Sequence, residues 1–393
     1  MERVSDDGKI DVGFAQAFED ISSGLTLFEA GDVLFAKITP CMENGKGAFV
    51  ESLPTKYAFG STEFHVLRPC HGVHAKYLYY YTFNPIYRAY AAENMSGAAG
   101  QKRVSSRFLK DTRLFLPPLP QQERIAAYLD ASCAAIDAAV VAKLKQIETL
   151  DAIASTVLHR AFANENWRNT RIKDVAAKIG SGVTPDGGAA GYLTEGVPLI
   201  RSQNVHFDGL RLDDVAYIAK DTHAAMSNSH LHPGDVLLNI TGASIGRCTF
   251  VPENFQEGNV NQHVCIIRGN HKVDCKYLAA FVSSPRGQGQ VLSSFTGASR
   301  QGLSHKELGL IEFPLPSIDV QQRVVSEIEL QNSQHAQLRN NIRSQISTLT
   351  TYRKSLIHEC VTGQRRISEA DLRAITGRAA KVVANTAHEP THA

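Results

Sequence analysis

Two short motifs contain residue types that could support enzyme chemistry. Asn84-Pro85-Ile86-Tyr87 is similar to the turn with which amino-methyltransferases hold a target amine, but Ile86 stands where that turn has a second proline. The glycine-rich motif Ile179–Pro185 could cradle a phosphate, but it has neither the Lys-Ser/Thr pair of a P-loop nor the glycine spacing of a dinucleotide-binding loop. We therefore interpret the first motif as a helix-stopping turn. The second is either a plain turn or a loop close to a nucleic acid.

Metal chemistry is no better supported. Met42–Lys46 contains one Glu and one Lys, without the second neighbouring acid that a metal-dependent nuclease would need. Cys70, His71 and His74 could supply ligands, but a metal site usually needs about four, and no partner cluster lies nearby in the sequence. The sequence therefore predicts no catalytic residue and no metal site.

The composition is that of a soluble globular protein. The chain has 393 residues, of which 43% are hydrophobic and 20% charged, and this length suits two domains of ordinary size. We find no uninterrupted apolar run long enough to span a bilayer, and the first residues lack the apolar core of a signal peptide. The seven cysteines include no C-x-x-C pair, which is typical of thiols in a reducing compartment. We expect a cytoplasmic protein, and the net charge of +2 neither demands nor excludes a nucleic-acid partner.

The most informative feature is an internal repeat with an offset of about 200 residues. Each half contains a Gly-Asp-Val-Leu segment, a Lys-Tyr-Leu segment, a Gly-rich loop and a Pro-Gln segment, always in that order. The matched pairs are Gly31–Ile38 with Gly234–Ile240, Ala75–Tyr81 with Cys275–Phe281, Ser96–Ser105 with Thr296–Ser304, and Leu116–Arg124 with Phe313–Arg323. Each half is therefore a globular domain followed by whatever begins at the Pro-Gln segment.

That following segment is a long helix in both halves. After Pro120 and after Asp319, apolar residues recur in alternating steps of three and four for roughly 40 residues, which is the coiled-coil period and corresponds to a helix of about 60 Å. Neither apolar stripe can remain in water, so the two helices are expected to pack antiparallel within one chain. The predicted segments are a first domain 1–118, a first helix 119–163, a second domain 164–316, a second helix 317–363 and a flexible tail 364–393.

These features together resemble the specificity subunit of type I restriction–modification enzymes. The resemblance lies in a Gly-Asp-Val-Leu strand, the Thr241–Arg247 turn and a Pro-Leu-Pro…Gln-Gln-Arg segment entering a long helix, with the whole arrangement duplicated over residues 1–367. It implies two α/β target recognition domains, separated by two long helices that form an antiparallel coiled coil. Each domain would read one half of a split sequence in double-stranded DNA.

The same resemblance implies the partners and the cofactors. Two methyltransferase subunits would dock on the helices, and restriction/translocase subunits would join them. S-adenosylmethionine, ATP and Mg would be bound by those partners and not by this chain. Two alternatives remain open, namely a self-sufficient DNA methyltransferase or nuclease and a coiled-coil adaptor without a DNA role.

The first domain departs from the family pattern. The segment Asn166–Ile200 of the second domain has no counterpart in the first half, because Val4–Asp11 already matches Asn204–Asp213. We therefore expect the first domain to lack roughly its first 30 residues. The Ala/Thr/His-rich residues after Ser368 do not resemble the missing segment, and their composition predicts a mostly disordered tail.

The loops that differ between the halves are the candidate DNA-reading surface, because recognition usually lies on loops carried by a conserved scaffold. Cations and polar side chains in these loops could hold phosphates or read base edges, although such loops can also be simple turns. The candidates in the first half are Lys37, Thr39, Asn44, Lys46, Ser61, Thr62, Gln101, Lys102 and Arg103. Those in the second half are Arg201, Gln203, Asn204, Thr241, Ser244, Arg247, Asn259, Asn261, Gln262, Ser299, Arg300, Gln301 and His305. For a bipartite target, the two half-sites would lie about one helical turn apart, ~34 Å centre to centre.

Overall fold

The chain divides into two compact units in a computed structural model that describes residues 1–13, 24–98, 100–185, 188–297 and 302–386. Unit 1 comprises Met1–Lys145 and Ile342–Ala393, and unit 2 comprises Gln146–Asn341. Both units combine short strands with helices, and each includes part of both long helices. The predicted mixed α/β tandem repeat is therefore confirmed.

Unit 1 is built from a small antiparallel sheet and the helices that follow it. Its strands are β1 (Thr26–Phe28), β2 (Val33–Ala36), β3 (Gly47–Phe49), β4 (Ala58–Gly60) and β5 (Phe64–Leu67). Its helices are α1 (Ala75–Thr82), α2 (Pro85–Glu93), α3 (Ser106–Asp111) and the first part of α4 (Leu119–Ala161). The main sheet has the order β3-β2-β5, and β1 pairs separately with β4.

Unit 2 repeats this framework and adds elements before it. Its strands are β6 (Asn169–Arg171), β7 (Ala176–Ser181), β8 (Val197–Ile200), β9 (Val205–His206), β10 (Gly209–Leu210), β11 (Ala216–Ile218), β12 (Val236–Asn239), β13 (Cys248–Phe250), β14 (Asn259–Val260), β15 (Val264–Gly269) and β16 (Glu312–Pro314). Its helices are α5 (Ile172–Val175), α6 (Lys220–Ala225), α7 (Cys275–Ser283), α8 (Pro285–Gly297), α9 (His305–Leu310) and the first part of α10 (Ile318–Val361). The main sheet has the order β13-β12-β15-β7, and β6 pairs with β16.

The Gly-Asp-Val motif places a buried aspartate in the same ion pair in each unit. Asp32 precedes β2, is 1% exposed, and accepts two hydrogen bonds of 2.8 Å from Arg68 after β5. Asp235 precedes β12, is fully buried, and accepts two of 2.7 Å from Arg268 of β15. Burial alone would raise the pKa of Asp32, but hydrogen bonds from Arg68 and from the Glu29 backbone N–H outweigh it, so the pKa lies below its usual value. The motif thus fixes the start of one strand to the end of its neighbour.

The Pro-Gln segment places a buried glutamine at the start of each long helix. In unit 2, Gln321 Oε1 accepts the Asp274 N–H at 2.8 Å, and Nε2 donates to the carbonyls of Lys272 at 3.1 Å and Pro316 at 2.9 Å. In unit 1, Gln122 makes the equivalent three bonds at 2.7 to 2.9 Å, accepting the His74 N–H and donating to the carbonyls of Gly72 and Pro117. We call each set of three bonds a glutamine clamp. It fastens the long helix to the loop that begins α1 or α7.

The two long helices run antiparallel in each unit, as predicted. In unit 1, Arg124 of α4 donates to the Ile367 carbonyl beyond α10, and further along α4 Asp137 pairs with Arg353 of α10 at 3.2 Å. In unit 2, Asp151 pairs with Arg339, and Phe162 after α4 shares a core with Ile328 of α10. Residues later in α4 therefore contact residues earlier in α10, as in an antiparallel helix pair.

Helix α4 is the one described helix that is long and apolar enough to cross a membrane, judged by length and composition alone. Ile125, Leu129, Cys133 and Ile136 of that helix are instead part of the unit 1 core.

Beyond α10, residues 369–386 form helix α11 (Glu369–Thr386), so the predicted disordered tail is wrong for these residues. Ser368 caps α11, since its hydroxyl accepts the Asp371 N–H at 3.2 Å and composition alone did not reveal this start signal.

The glutamine clamp gives a direct stability prediction. Gln321→Ala leaves the Asp274 N–H and two carbonyls without their partner, so we expect unit 2 to lose about 2 kcal/mol of unfolding free energy. Urea unfolding followed by fluorescence of the only tryptophan, Trp167 in unit 2, reports this unit selectively. The matched control is Gln322→Ala, because Gln322 is the exposed next residue of α10. Equal midpoints for the two variants would contradict the proposed role of the clamp.

Candidate nucleic-acid interface

The predicted loops of unit 2 meet at the end of β12 opposite Asp235. There the Asn239 side chain donates to the Ser202 carbonyl at 2.8 Å, and the Ile240 N–H donates to the His263 carbonyl at 3.0 Å. The Leu303 N–H in turn donates to the Ile240 carbonyl at 2.9 Å. The loops after β8, β12 and β14 and the loop before α9 therefore form one surface, which we call the unit 2 loop surface.

A chain of polar side chains crosses this surface. The Thr241 hydroxyl lies 2.6 Å from His263 Nδ1, and the amide nitrogen of Gln262 lies 3.0 Å from His263 Nε2. The Thr184 hydroxyl donates to Gln262 Oε1. Thr184 belongs to the part of the glycine-rich motif that follows β7, and it was not among the candidates, because its separation from Gln262 in the sequence gave no signal. The motif thus ends strand β7 and continues as a loop beside the candidate surface.

Arg247 is the clearest phosphate-binding candidate. It is half-exposed, and within the described residues its guanidinium forms no ion pair or hydrogen bond. Its backbone is fixed, since its carbonyl accepts the Asn239 N–H at 2.8 Å and its N–H donates to Ser244 at 3.1 Å. Gly246 precedes it with a positive φ of 86°, a conformation that suits glycine in this tight turn. A cation held without an internal partner is available to an anion.

Three predicted contacts in unit 2 are corrected by the structure, because the side chains are buried and serve the fold. Asn204 is 2% exposed, and its Nδ2 donates to the Arg211 carbonyl at 2.9 Å. Asn259 is fully buried, and its amide bonds to Ser229 at 2.8 Å and to His223 at 2.5 Å. Asn261 is 6% exposed, and its Oδ1 accepts the His263 N–H at 3.1 Å. They shape the surface without facing solvent.

The remaining candidates of unit 2 lie on or beside the surface. Arg201 and Gln203 are already engaged with Asp214, at 3.1 Å from its carbonyl and 2.8 Å from its carboxylate respectively. The Ser244 hydroxyl accepts from Asn239 at 3.1 Å, and His305 is exposed at the first position of α9. Ser299, Arg300 and Gln301 lie outside the described residues.

Unit 1 brings its candidates together in the equivalent place. The Thr39 N–H donates to the Lys102 carbonyl at 3.0 Å, and the Lys102 N–H donates back to the Thr39 hydroxyl at 3.1 Å. Lys37 joins them, since its carbonyl accepts the Val104 N–H at 2.8 Å. Lys37 and Lys102 form no ion pair within the described residues, so this unit 1 loop surface carries free positive charge. Gln101 is exposed at its edge.

Arg103, another predicted DNA contact, has its side chain tied to Glu63. Its guanidinium donates to both oxygens of that carboxylate at 2.8 and 2.9 Å. Those bonds hold the pKa of Glu63 below its usual value, so the pair is charged at neutral pH and offers little free charge to DNA. Ser61 and Thr62 lie in the turn just before this pair.

The loop before β3 holds the other two candidates of unit 1. Asn44 is exposed, and only its backbone is fixed, by a bond from its N–H to Pro40 at 2.9 Å. Lys46 is half-exposed and donates to the Met1 carbonyl at 3.2 Å. Asn44 is therefore freer than Lys46 to reach a ligand.

The Asn84–Tyr87 motif has a structural role. Asn84 is the N-cap of α2: its Oδ1 accepts the Ile86 N–H at 3.0 Å and lies 3.0 Å from His358 Nδ1. An amide engaged in this way is not presented to a substrate. Among the described residues, no group of three or more His, Cys, Asp and Glu side chains could hold a metal ion.

Comparison with known proteins decides the family. The profile of the type I restriction modification DNA specificity domain matches this chain twice, over residues 21–149 and 164–347. The chain belongs to that family. The two matches correspond to the two copies of the repeat, so the duplication is a duplication of this domain.

Individual relatives agree with the family assignment. The EcoAI specificity subunit of Escherichia coli is 40% identical over 109 residues, which are 28% of this chain and 18% of that protein. The EcoBI specificity subunit of Escherichia coli is 26% identical over 292 residues, or 67% of this chain and 60% of that protein. The chain thus spans less than two thirds of either. A solved structure concerning complex assembly of the type I restriction–modification system has a TM-score of 0.73 at 20% identity, covering 88% of this chain and 86% of the other, and supports the fold.

The contrast between Arg247 and Asn259 is testable. Arg247→Ala should lower the affinity for duplex DNA by about tenfold, as expected for one lost phosphate or base contact, with no change in the unfolding midpoint. The DNA is a pool of duplexes selected beforehand for binding to the chain without substitutions. Asn259→Ala should instead lower the unfolding midpoint, because it leaves buried partners unpaired. Fluorescence anisotropy and urea unfolding measure the two effects. Arg323→Ala, an exposed position on α10, is the control for loss of a positive charge.

Proposed function

We propose that this chain is the DNA sequence-specificity subunit of a type I restriction–modification system. The observation that carries the proposal is the duplicated specificity domain with one loop surface in each copy. The two surfaces lie on the same framework but carry different side chains, so each would read a different half-site. The chain would thus recognise a bipartite target of two unlike halves in double-stranded DNA.

The electrostatics of the loop surfaces support DNA as the ligand. Arg247 in unit 2 and Lys37 and Lys102 in unit 1 are cations without an internal ion pair among the described residues. Such cations bind phosphates, whereas Gln262, Thr241 and their neighbours have the donors and acceptors that read base edges. Each surface therefore combines positioning and reading groups.

The chain would supply recognition, and its partners would supply the chemistry. Two methyltransferase subunits would dock on the long helices, and restriction/translocase subunits would complete the assembly. The helices have apolar side chains in solvent that such partners could cover, including Val141 at 65% and Leu144 at 48% exposed in unit 1 and Leu330 at 54% exposed in unit 2. S-adenosylmethionine, ATP and Mg would be held by those partners.

The proposed location is the cytoplasm, where DNA and these partners are found. The described structure is consistent with a reducing compartment, since all the cysteines are free thiols. Burial raises the pKa of the Cys133 thiol to about 11, and the Cys248 and Cys265 thiols are raised to about 12 for the same reason. These thiols are therefore protonated, packed and unreactive near neutral pH.

DNA binding should depend steeply on salt. Several phosphate contacts release counterions, so raising the salt from 50 to 200 mM should lower duplex affinity by at least about tenfold, with the larger losses expected for more contacts. Filter binding at the two salt concentrations measures this. A chain that acts only as a coiled-coil adaptor would show no duplex binding at either concentration.

Methyl transfer separates a specificity subunit from an enzyme. The purified chain with labelled S-adenosylmethionine and DNA should transfer no methyl groups, and adding the system's methyltransferase subunits should produce transfer. If the chain methylated or cleaved DNA without partners, the proposal would be overturned in favour of a self-sufficient enzyme.

A further inference from the structure

The polar side chains that cross the unit 2 loop surface share their protons in a defined order. The amide nitrogen of Gln262 can only donate, and it lies 3.0 Å from His263 Nε2. His263 Nε2 is therefore the acceptor of this bond, and the ring proton is on Nδ1. Because His263 Nδ1 lies 2.6 Å from the Thr241 hydroxyl, it donates its proton to the hydroxyl oxygen. The neighbours thus select one tautomer of His263.

This order of bonds determines which groups remain for a ligand. Gln262 Oε1 accepts the Thr184 hydroxyl proton and keeps a second lone pair, and the Gln262 amide nitrogen keeps a second N–H. Gln262 is exposed, and neither remaining group has a partner among the described residues. The Thr241 oxygen accepts from His263, so the Thr241 hydroxyl proton is also available. Gln262 thus offers one donor and one acceptor to a ligand.

His263 is held firmly enough to fix the orientation of this amide. Its backbone N–H donates to Asn261 Oδ1 at 3.1 Å, and its carbonyl accepts the Ile240 N–H at 3.0 Å. A glutamine side chain in solvent loses rotational freedom when it binds a ligand, and this loss reduces affinity. The bonds to Thr184 and His263 restrict the Gln262 side chain beforehand. Its donor and acceptor are therefore oriented before a ligand arrives.

Adenine is the one base that presents the complementary pair of groups in the major groove of DNA. Its N7 acceptor lies beside its N6 amino donor, whereas guanine presents two acceptors there. Cytosine presents a donor alone, and thymine presents an acceptor alone. A glutamine amide can therefore bond to both groups of adenine, and to the other bases it can make only part of this contact.

We propose that Gln262 reads an adenine in the major groove, and that Thr184 and His263 are positioning residues that fix the orientation of its amide. The inference rests on the function proposed above, sequence-specific DNA binding, and names the base that one side chain would recognise. Arg247 on the same surface would hold a phosphate. The two side chains would thus have separate roles, one in specificity and one in affinity.

Selection of duplexes from a random pool tests the base preference. The chain without substitutions should select adenine at one position of its target, by at least about tenfold over the other bases. Gln262→Glu replaces the amide with two acceptors and should change that position to cytosine, whose amino group is a donor, while the rest of the target stays the same. Gln322→Glu adds the same charge at an exposed position of α10 and should select the original target.

A modified adenine identifies the groove. Replacing the selected adenine with 7-deazaadenine removes the N7 acceptor and should lower the affinity of the chain by about fivefold, as expected for one lost hydrogen bond. Gln262→Glu has no N–H to donate to N7, so its affinity should not respond to this replacement. Fluorescence anisotropy measures both, and the same replacement at an adenine outside the selected target is the control.

Variants of the positioning residues separate orientation from folding. Thr184→Val removes the hydroxyl at an exposed position and should reduce the preference for adenine to below about threefold, whereas Thr184→Ser keeps the hydroxyl and should keep the preference. His263→Phe should reduce the preference in the same way as Thr184→Val. Urea unfolding followed by the fluorescence of Trp167 shows whether each variant is folded.

The order of protons can be measured without DNA. In a chain labelled with nitrogen-15 histidine, the NMR signals of His263 are those that disappear in His263→Phe. They should show a protonated Nδ1 and an unprotonated Nε2 at neutral pH. A protonated Nε2 would mean that the order of bonds is reversed, and the inference would be wrong.

Two further results would overturn the inference and leave the proposed function intact. The first is a selected target in which Gln262→Glu changes no position, or changes a position occupied by guanine, whose minor-groove edge also has a donor and an acceptor. The second is an equal loss of affinity for all duplexes in Thr184→Val, since the side chains would then serve only to join the loops. If the chain selected no sequence at all, the proposed function would be overturned as well.

Discussion

The glutamine clamp is the interaction on which the architecture of each unit depends. A long helix has only a narrow apolar stripe and, at its first turn, backbone groups without helical partners. Gln122 and Gln321 each tie that first turn to the globular domain with one amide, which is buried and bonded to three backbone groups. The helix thereby starts at a fixed point of the globular domain, and its direction follows from that start. The prolines before each glutamine set the extended approach to it.

The sequence predicted the framework well because periodicity and duplication report on burial. Both long helices and the helix that stops at the Asn84-Pro85 turn lie where the patterns placed them. The helix at Glu369–Thr386 was missed, since an Ala/Thr/His-rich composition says little about a local N-cap such as Ser368. Local hydrogen bonds between side chains and the backbone determine where such a helix starts, and overall composition does not reveal them.

The candidate surface was predictable as a set of loops but not residue by residue. Asn204, Asn259 and Arg103 have the side chains of DNA readers, yet the fold uses them for its own hydrogen bonds and ion pairs. Whether a polar residue after a strand faces inward or outward depends on the segment packed against it, which is often far away in the sequence. Thr184 and Gln262 illustrate the converse, because their contact joins segments that the sequence gave no reason to combine.

The Asp32–Arg68 and Asp235–Arg268 pairs lie at one end of each sheet, and the variable loops follow the opposite ends of β2 and β12. The ion pairs that hold a domain together are thereby physically separate from the loops proposed to read DNA. Substitutions in the loops need not disturb the ion pair or the clamp. If the loops read DNA as proposed, sequence drift in them would alter what is recognised at little thermodynamic cost to the ion pairs and the clamps, so new specificities would be accessible by small steps.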